Sequence, residues 1–168
     1  MKLSVKFFLL LGFFSTLLIG VGGIGLYGIT QANQSLSSVY KSRVVPLEKI
    51  NEINYLVQRN RVLIMDMALV PEAANVEARN KELRGNIETI TKMWKEYRDN
   101  PLGPDEAQLA DAFAQARKAY VQEGLLGTAN AMLAGKTSEA LDIYRHKIST
   151  LAPAAQGAVK SLNEYQLD

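Results

Sequence analysis

The chain has 168 residues, with 19 basic and 17 acidic side chains, one histidine and no cysteine. That is the length of one domain, and without cysteine there are no disulfide frameworks, thiolate zinc sites, covalent haem attachments or cysteine nucleophiles. Its net charge of +2 comes from Lys2 and Lys6 alone, because the 17 remaining basic groups match the 17 acidic ones, and a balanced exterior lacks the basic face that nucleic acid requires.

From Phe7 to Thr30 the sequence FFLLLGFFSTLLIGVGGIGLYGIT contains no charge. At a rise of ~1.5 Å per residue this stretch reaches about 36 Å, enough for a hydrocarbon core of ~30 Å. Lys2 and Lys6 precede it, so the positive-inside rule puts residues 1–6 in the cytoplasm, 7–30 in the bacterial inner membrane and 31–168 in the periplasm. A cleaved signal peptide is the competing reading, but its apolar stretch usually runs only ~7–15 residues. The segment therefore reads as a retained anchor. Gly20/Gly22/Gly25 and Gly23/Gly25/Gly28 both match G-x-G-x-x-G, yet that fingerprint needs a strand before it and a βαβ unit around it. Inside a spanning helix it is a chance match, as is the glycosylation pattern Asn33-Gln34-Ser35.

Beyond the anchor the periodicity is helical throughout, which predicts an all-α fold: an antiparallel up-down-up-down four-helix bundle. The first segment carries Leu36, Tyr40, Leu47, Ile50, Val57 and Ile64, and Val70-Pro71-Glu72 stops it. Asn75 is the expected N-cap of the second. That segment repeats at Val76, Asn80, Leu83, Ile87, Ile90, Trp94 and Tyr97, and Asn100-Pro101-Leu102-Gly103-Pro104 makes the turn, with Pro104 at the first helical position. The third keeps the repeat through Leu109, Phe113, Ala116 and Tyr120, then shifts near Gly124 and Gly127 toward Ala131 and Leu133. Gly135 closes it, and Thr137 is the expected cap of the fourth. The fourth runs through positions 141, 144, 148, 151, 155, 158, 162 and 165. Pro46 and Pro153 interrupt the two long helices in their membrane-side portions, inviting kinks.

An apolar spanning helix, then R-V-V-P-L at Arg43–Leu47, then Q-R-N-R-V-L-I-M-D-M at Gln58–Met67, resembles the N-terminal part of bacterial methyl-accepting chemotaxis proteins with a four-helix-bundle periplasmic sensor. The resemblance implies a homodimer packed along the first bundle helix, and a returning spanning helix, HAMP linker and signalling region beyond residue 168. It also implies cytoplasmic partners that act only through those later parts. Aspartate and serine receptors of this type grip their ligand near the membrane-distal tip with first-helix arginines and fourth-helix polar groups; other members sense citrate, malate or aromatic acids, all anions. Carried over residue by residue, Arg61 and Arg59 are the first-helix candidates, although the arginine spacing of the aspartate receptor is not reproduced. Similar bundles also front histidine kinases and diguanylate cyclases, and a tethered bundle that senses a periplasmic binding protein is a further alternative.

Helical rise places Arg59 and Arg61 about 16 and 13 Å below the distal turns and Tyr144 at about 10–12 Å, with Arg117 and Tyr120 lower, at about 22–27 Å. Arg61 occupies the heptad of Ile50, Val57 and Ile64, where an apolar residue is expected, and a charge there must find an anion or an acceptor. A carboxylate ligand held in bidentate fashion is one answer; an internal ion pair to Asp66 is another. Arg117 and Tyr120, at i and i+3, offer a cation and a hydroxyl on one face, and Tyr144 sits on the fourth-helix seam. The predicted partner is thus a small anion, an organic acid or amino acid, held by Arg59, Arg61, Arg117, Tyr120 and Tyr144. Trp94 reads as core, Met65, Met67 and Met93 as gap-fillers, and His146 as solvent-facing. No catalytic set, metal site or cofactor is expected.

Overall fold

The computed structural model describes residues 3–40 and 44–167. They form two compact units, divided at Val44/Val45. Arg43, which opens the R-V-V-P-L motif, lies outside the described residues, as does Lys2.

The first unit is one helix, α1 (Leu3–Val39), which continues nine residues past Thr30. Its stretch Leu10–Ser37 is long and apolar enough to cross a membrane, and none of it is buried within the chain. Thr16 and Thr30 turn their hydroxyls back onto the carbonyls of Gly12 and Leu26, each at 2.9 Å. Those bonds satisfy polar groups that hydrocarbon could not.

The second unit is helical throughout. α2 (Val45–Leu69) ends at the predicted Pro71 stop, and α3 (Ala73–Arg98) follows. α4 (Pro104–Ala119) passes through a π-helical turn, Tyr120–Leu125, into α5 (Leu126–Leu133). α6 (Thr137–Ile143) passes through a second π turn, Tyr144–Ile148, into α7 (Ser149–Leu167). α2 packs on α3 and α7, α4 packs on α7, and the two π turns pack on each other. These rods enclose one core, centred on Ile50, Ile53, Leu63, Ile64, Met67, Leu83, Ile90, Phe113, Leu125, Ile148, Val159 and Leu162.

The punctuation is mostly as expected. Pro104 opens α4 at its first turn. Gly135, at φ +72°, donates its N–H to the Met132 carbonyl at 3.0 Å while Lys136 reaches that of Ala131 at 2.9 Å, the paired bonds of a Schellman cap. Two caps are corrected. α3 starts at Ala73 without a side-chain cap, and Asn75, already helical, donates its amide to the Val70 carbonyl at the end of α2, 2.8 Å away. α6 starts at Thr137 itself, after Lys136, so Thr137 lies inside the helix rather than capping it. Pro46 stands in the first turn of α2. Pro153 lies inside α7 on its exposed side.

The seam is corrected in the two rods that contain π turns. In α7 the buried positions are Ala152, Ala155, Val159, Leu162 and Gln166; Leu151, Ala158 and Tyr165 flank them, half-buried. Ile148, Ala155 and Leu162 are buried as expected; a π turn accommodates one residue more than an α turn, and the alternate seam positions lie one residue later, at 152, 159 and 166. In the third rod Ala110 replaces Leu109 in the core and Met132 replaces Leu133, which is exposed.

Candidate functional site

Arg61 on α2 is half-buried, and its Nε is enclosed without a hydrogen-bond partner. The Asp66 alternative is not realised: Asp66 takes Arg79 of α3 at 2.5 Å. Arg61 has no salt bridge among the described residues.

Tyr120 opens the first π turn. It is 1% exposed and its hydroxyl also lacks a partner. Burial pushes its pKa well above that of an ordinary phenol, while the Arg61 charge pulls it down and the Tyr144 phenol pushes it up. Arg61 and Tyr144 therefore both act electrostatically on Tyr120. Side chains on α2 lean toward that helix's N-terminus, which lets a long arginine act well below its own Cα. Both tyrosines open π turns, and the two turns meet closely because Gly124 presents no side chain: a Cβ there would lie 3.1 Å from Ile148 Cγ1.

The remaining candidates are elsewhere engaged. Arg59 binds Glu82 of α3 at 2.8 Å, which raises its pKa, and Arg79 bridges Glu82 to Asp66 in the same half-exposed network. Arg117 faces α3, where its Nη2 donates to the Ile87 carbonyl at 3.1 Å and to Thr91 Oγ1 at 2.6 Å. Burial lowers its pKa, and its Nε is unpartnered. It lines a separate groove of about 210 Å³ with Ile87, Thr91, Lys118, Val121 and Gln122. Arg61 and Tyr144 thus bear on the Tyr120 hydroxyl electrostatically, without a hydrogen bond to it, while Arg59 and Arg117 are held by partners on α3.

A second groove, of about 170 Å³, adjoins the first set and is lined by Met65, Ala68, Leu69, Leu141 and Tyr144. None of its aliphatic walls is among the sequence-predicted site residues, and Met65, expected to fill a core gap, is 44% exposed on its rim. The available signal was spacing: Arg61, Met65 and Ala68, at i, i+4 and i+7, share one face of α2. Met67 is fully buried, as expected. Trp94 is core, stacked on Tyr97 at 5.3 Å and edge-on to Phe113 at 4.8 Å. His146 is exposed beside Asp142, at 3.1 Å.

A long apolar helix followed by a helical bundle that, among the described residues, encloses an unpartnered arginine Nε and an unpartnered tyrosine hydroxyl is an arrangement suited to holding a ligand. The family model described as Tar ligand binding domain homologue, TarH, matches residues 1–168, and the chain belongs to that family. It is a chemoreceptor sensor domain, from a family of sensors rather than catalysts. No curated protein matches the chain in sequence.

Proposed function

We propose that this chain senses a small anion, an organic acid or amino acid, between α2 and the α6–α7 rod, and passes the resulting bias through the inner membrane to a chemotaxis output. The carrying observation is the pair of enclosed, unpartnered groups, Arg61 Nε and Tyr120 Oη. Enclosing part of a guanidinium without an acceptor or counter-charge is costly, and a carboxylate would supply both. Arg61 and Tyr120 donate to it, and Tyr144 offers a second hydroxyl. Because α2 and α7 pack on one another, a ligand that prefers one of their arrangements shifts the population by its differential affinity. α1 anchors the domain, with Lys2 and Lys6 on the cytoplasmic side.

Self-association along α2 is part of the same reading, since Tyr55, Val62 and Leu69 stand 59%, 51% and 77% exposed on that helix at seven-residue spacing. The test is a thermal-shift screen of residues 31–168 against organic acids and amino acids, because a ligand that binds only the folded state raises its melting temperature. Arg61→Ala, with the fold intact, is expected to weaken the hit by about tenfold to a hundredfold, the equivalent of a charged hydrogen bond worth ~1.5–3 kcal/mol. Unchanged affinity removes Arg61 from the site. A flat screen moves the input to a periplasmic protein.

A further inference from the structure

The groove on α3 and α4 gathers cations without an acid. Arg117 and Lys118 both line it, Gln122 adds an amide, and Ile87, Ala114 and Val121 supply apolar walls. Arg117 is fixed there by neutral groups alone. Its Nη2 donates to the Ile87 carbonyl at 3.1 Å and to Thr91 Oγ1 at 2.6 Å, and the Thr91 hydroxyl is itself turned onto the Ile87 carbonyl at 2.7 Å. Its Nη1 has no hydrogen-bond partner among the described residues and, unlike Nε, is not enclosed. Lys118 is exposed and forms no ion pair among the described residues. The acids of α3, α4 and the first π turn that do form ion pairs reach other cations: Glu82 takes Arg59 and Arg79, Glu96 takes Lys49, Asp111 takes Arg98 and Glu123 takes Lys147. Glu88, beside Ile87, is exposed and pairs with neither groove cation. A concave site with apolar walls and charge of one sign focuses its field and concentrates ions of the other.

We infer that this groove is a second anion site, separate from Arg61, for a doubly charged tetrahedral oxyanion: free phosphate or sulfate, or the phosphoryl group of a phosphomonoester. Two cations match two charges. Arg117 offers the edge of a planar guanidinium already held in place, Lys118 a mobile point charge, and Gln122 a neutral donor. A tetrahedral anion turns an oxygen toward each of them, whereas a carboxylate carries both of its oxygens on one edge. The groove, of about 210 Å³, has room for such an anion with part of its hydration, a water taking ~30 Å³. Val121 and Gln122 belong to the π turn that Tyr120 opens, so an anion held here ties that turn to α3. The inference does not depend on what Arg61 binds.

Calorimetric titration of the full chain in maltoside micelles tests this at constant ionic strength, with inorganic phosphate, sulfate and glycerol 3-phosphate as probes and nitrate and succinate as controls. At least one probe is expected to bind tenfold or more tightly than either control. The tighter of phosphate and glycerol 3-phosphate tells a free oxyanion from a phosphomonoester. Lys118→Gln and Gln122→Glu alter exposed side chains and leave the fold intact; the first is expected to weaken the probe about tenfold, and the second, which sets a carboxylate beside the two cations, to abolish binding. Hydrogen exchange is expected to slow over residues 120–125 when the probe is bound. Equal response to nitrate, or no binding by any probe to folded protein, overturns the site. Binding that survives both variants places the anion elsewhere and also overturns it. Binding that survives both variants but is lost in Arg61→Ala assigns the anion to Arg61, which overturns this inference and leaves the proposed sensor site standing.

Discussion

Tyr120 is almost fully enclosed, and its hydroxyl donates to nothing in the bundle. Leaving such a group unsatisfied costs about 1–3 kcal/mol, whereas phenylalanine at the same place keeps the ring packing and removes the debt. Tyr120→Phe is therefore expected to raise the ligand-free stability by about 1 kcal/mol in urea unfolding while weakening the ligand severalfold. A residue that merely packs would not move the two in opposite directions. Tyr97 makes the comparison, for it is equally enclosed but satisfied: it donates to Glu106 at 2.5 Å and accepts from Gln166 at 3.2 Å. Both phenols are held protonated by burial, with folded-state pKa values raised above the ordinary one. The stability this gives is complete below the unfolded phenol's pKa near ~10 and is lost as pH rises beyond it. The stability of the native chain is expected to fall above that pH by up to ~1.4 kcal/mol per unit for each tyrosine. Tyr120→Phe should show a shallower fall in unfolding followed by circular dichroism.

The two π turns are the elements that set this bundle apart from a regular one, and two glycines show what they demand. Gly124 lets the turns approach; a valine there meets Ile148 and the Tyr120 ring at once and is expected to cost about 1–3 kcal/mol by overpacking. Gly135 meets nothing, but its positive φ makes Gly135→Ala cost about 1–2 kcal/mol, with little effect on the ligand. Denaturant unfolding of both variants, read beside ligand affinity, separates crowding between the π turns from strain at the Gly135 cap. The sequence made the rods and their turns legible, because Pro71, Pro104 and Gly135 act through local backbone physics. It hid the π turns. Leu141, Tyr144 and Ile148 keep a faultless 3-4 spacing, so the extra residue shows only downstream, where Ala152, Val159 and Gln166 enter the core in place of Leu151, Ala158 and Tyr165. Composition misleads here, since Leu151 and Tyr165 are bulkier and more apolar than Ala152 and Gln166, and only Val159 outweighs its neighbour Ala158. Arg61 was legible as a cation on an apolar seam, but its separation from Arg59 was not, because that depended on Glu82 reaching across from α3.

At the scale of the whole molecule, the exposed face of α2 has to serve two purposes. Tyr55, Val62 and Leu69 recur every seven residues with more than half of each side chain exposed, a stripe that a soluble bundle leaves bare only where something covers it. The heptad spacing fits a second α2 packed alongside as in a coiled coil. Val62 lies at the middle of the stripe and outside the set of Arg61, Tyr120 and Tyr144, so a charge there separates association from binding. Val62→Glu is expected to weaken dimerisation by tenfold or more in sedimentation velocity. The stability of the bundle itself should change by no more than ~0.5 kcal/mol, as is usual for an exposed position. If the ligand contacts one subunit only, the monomeric variant retains its affinity; if the neighbouring α2 completes the site, affinity falls with the dimer. Association that Val62→Glu does not touch would place the dimer contact on another face and free the whole stripe for a different partner.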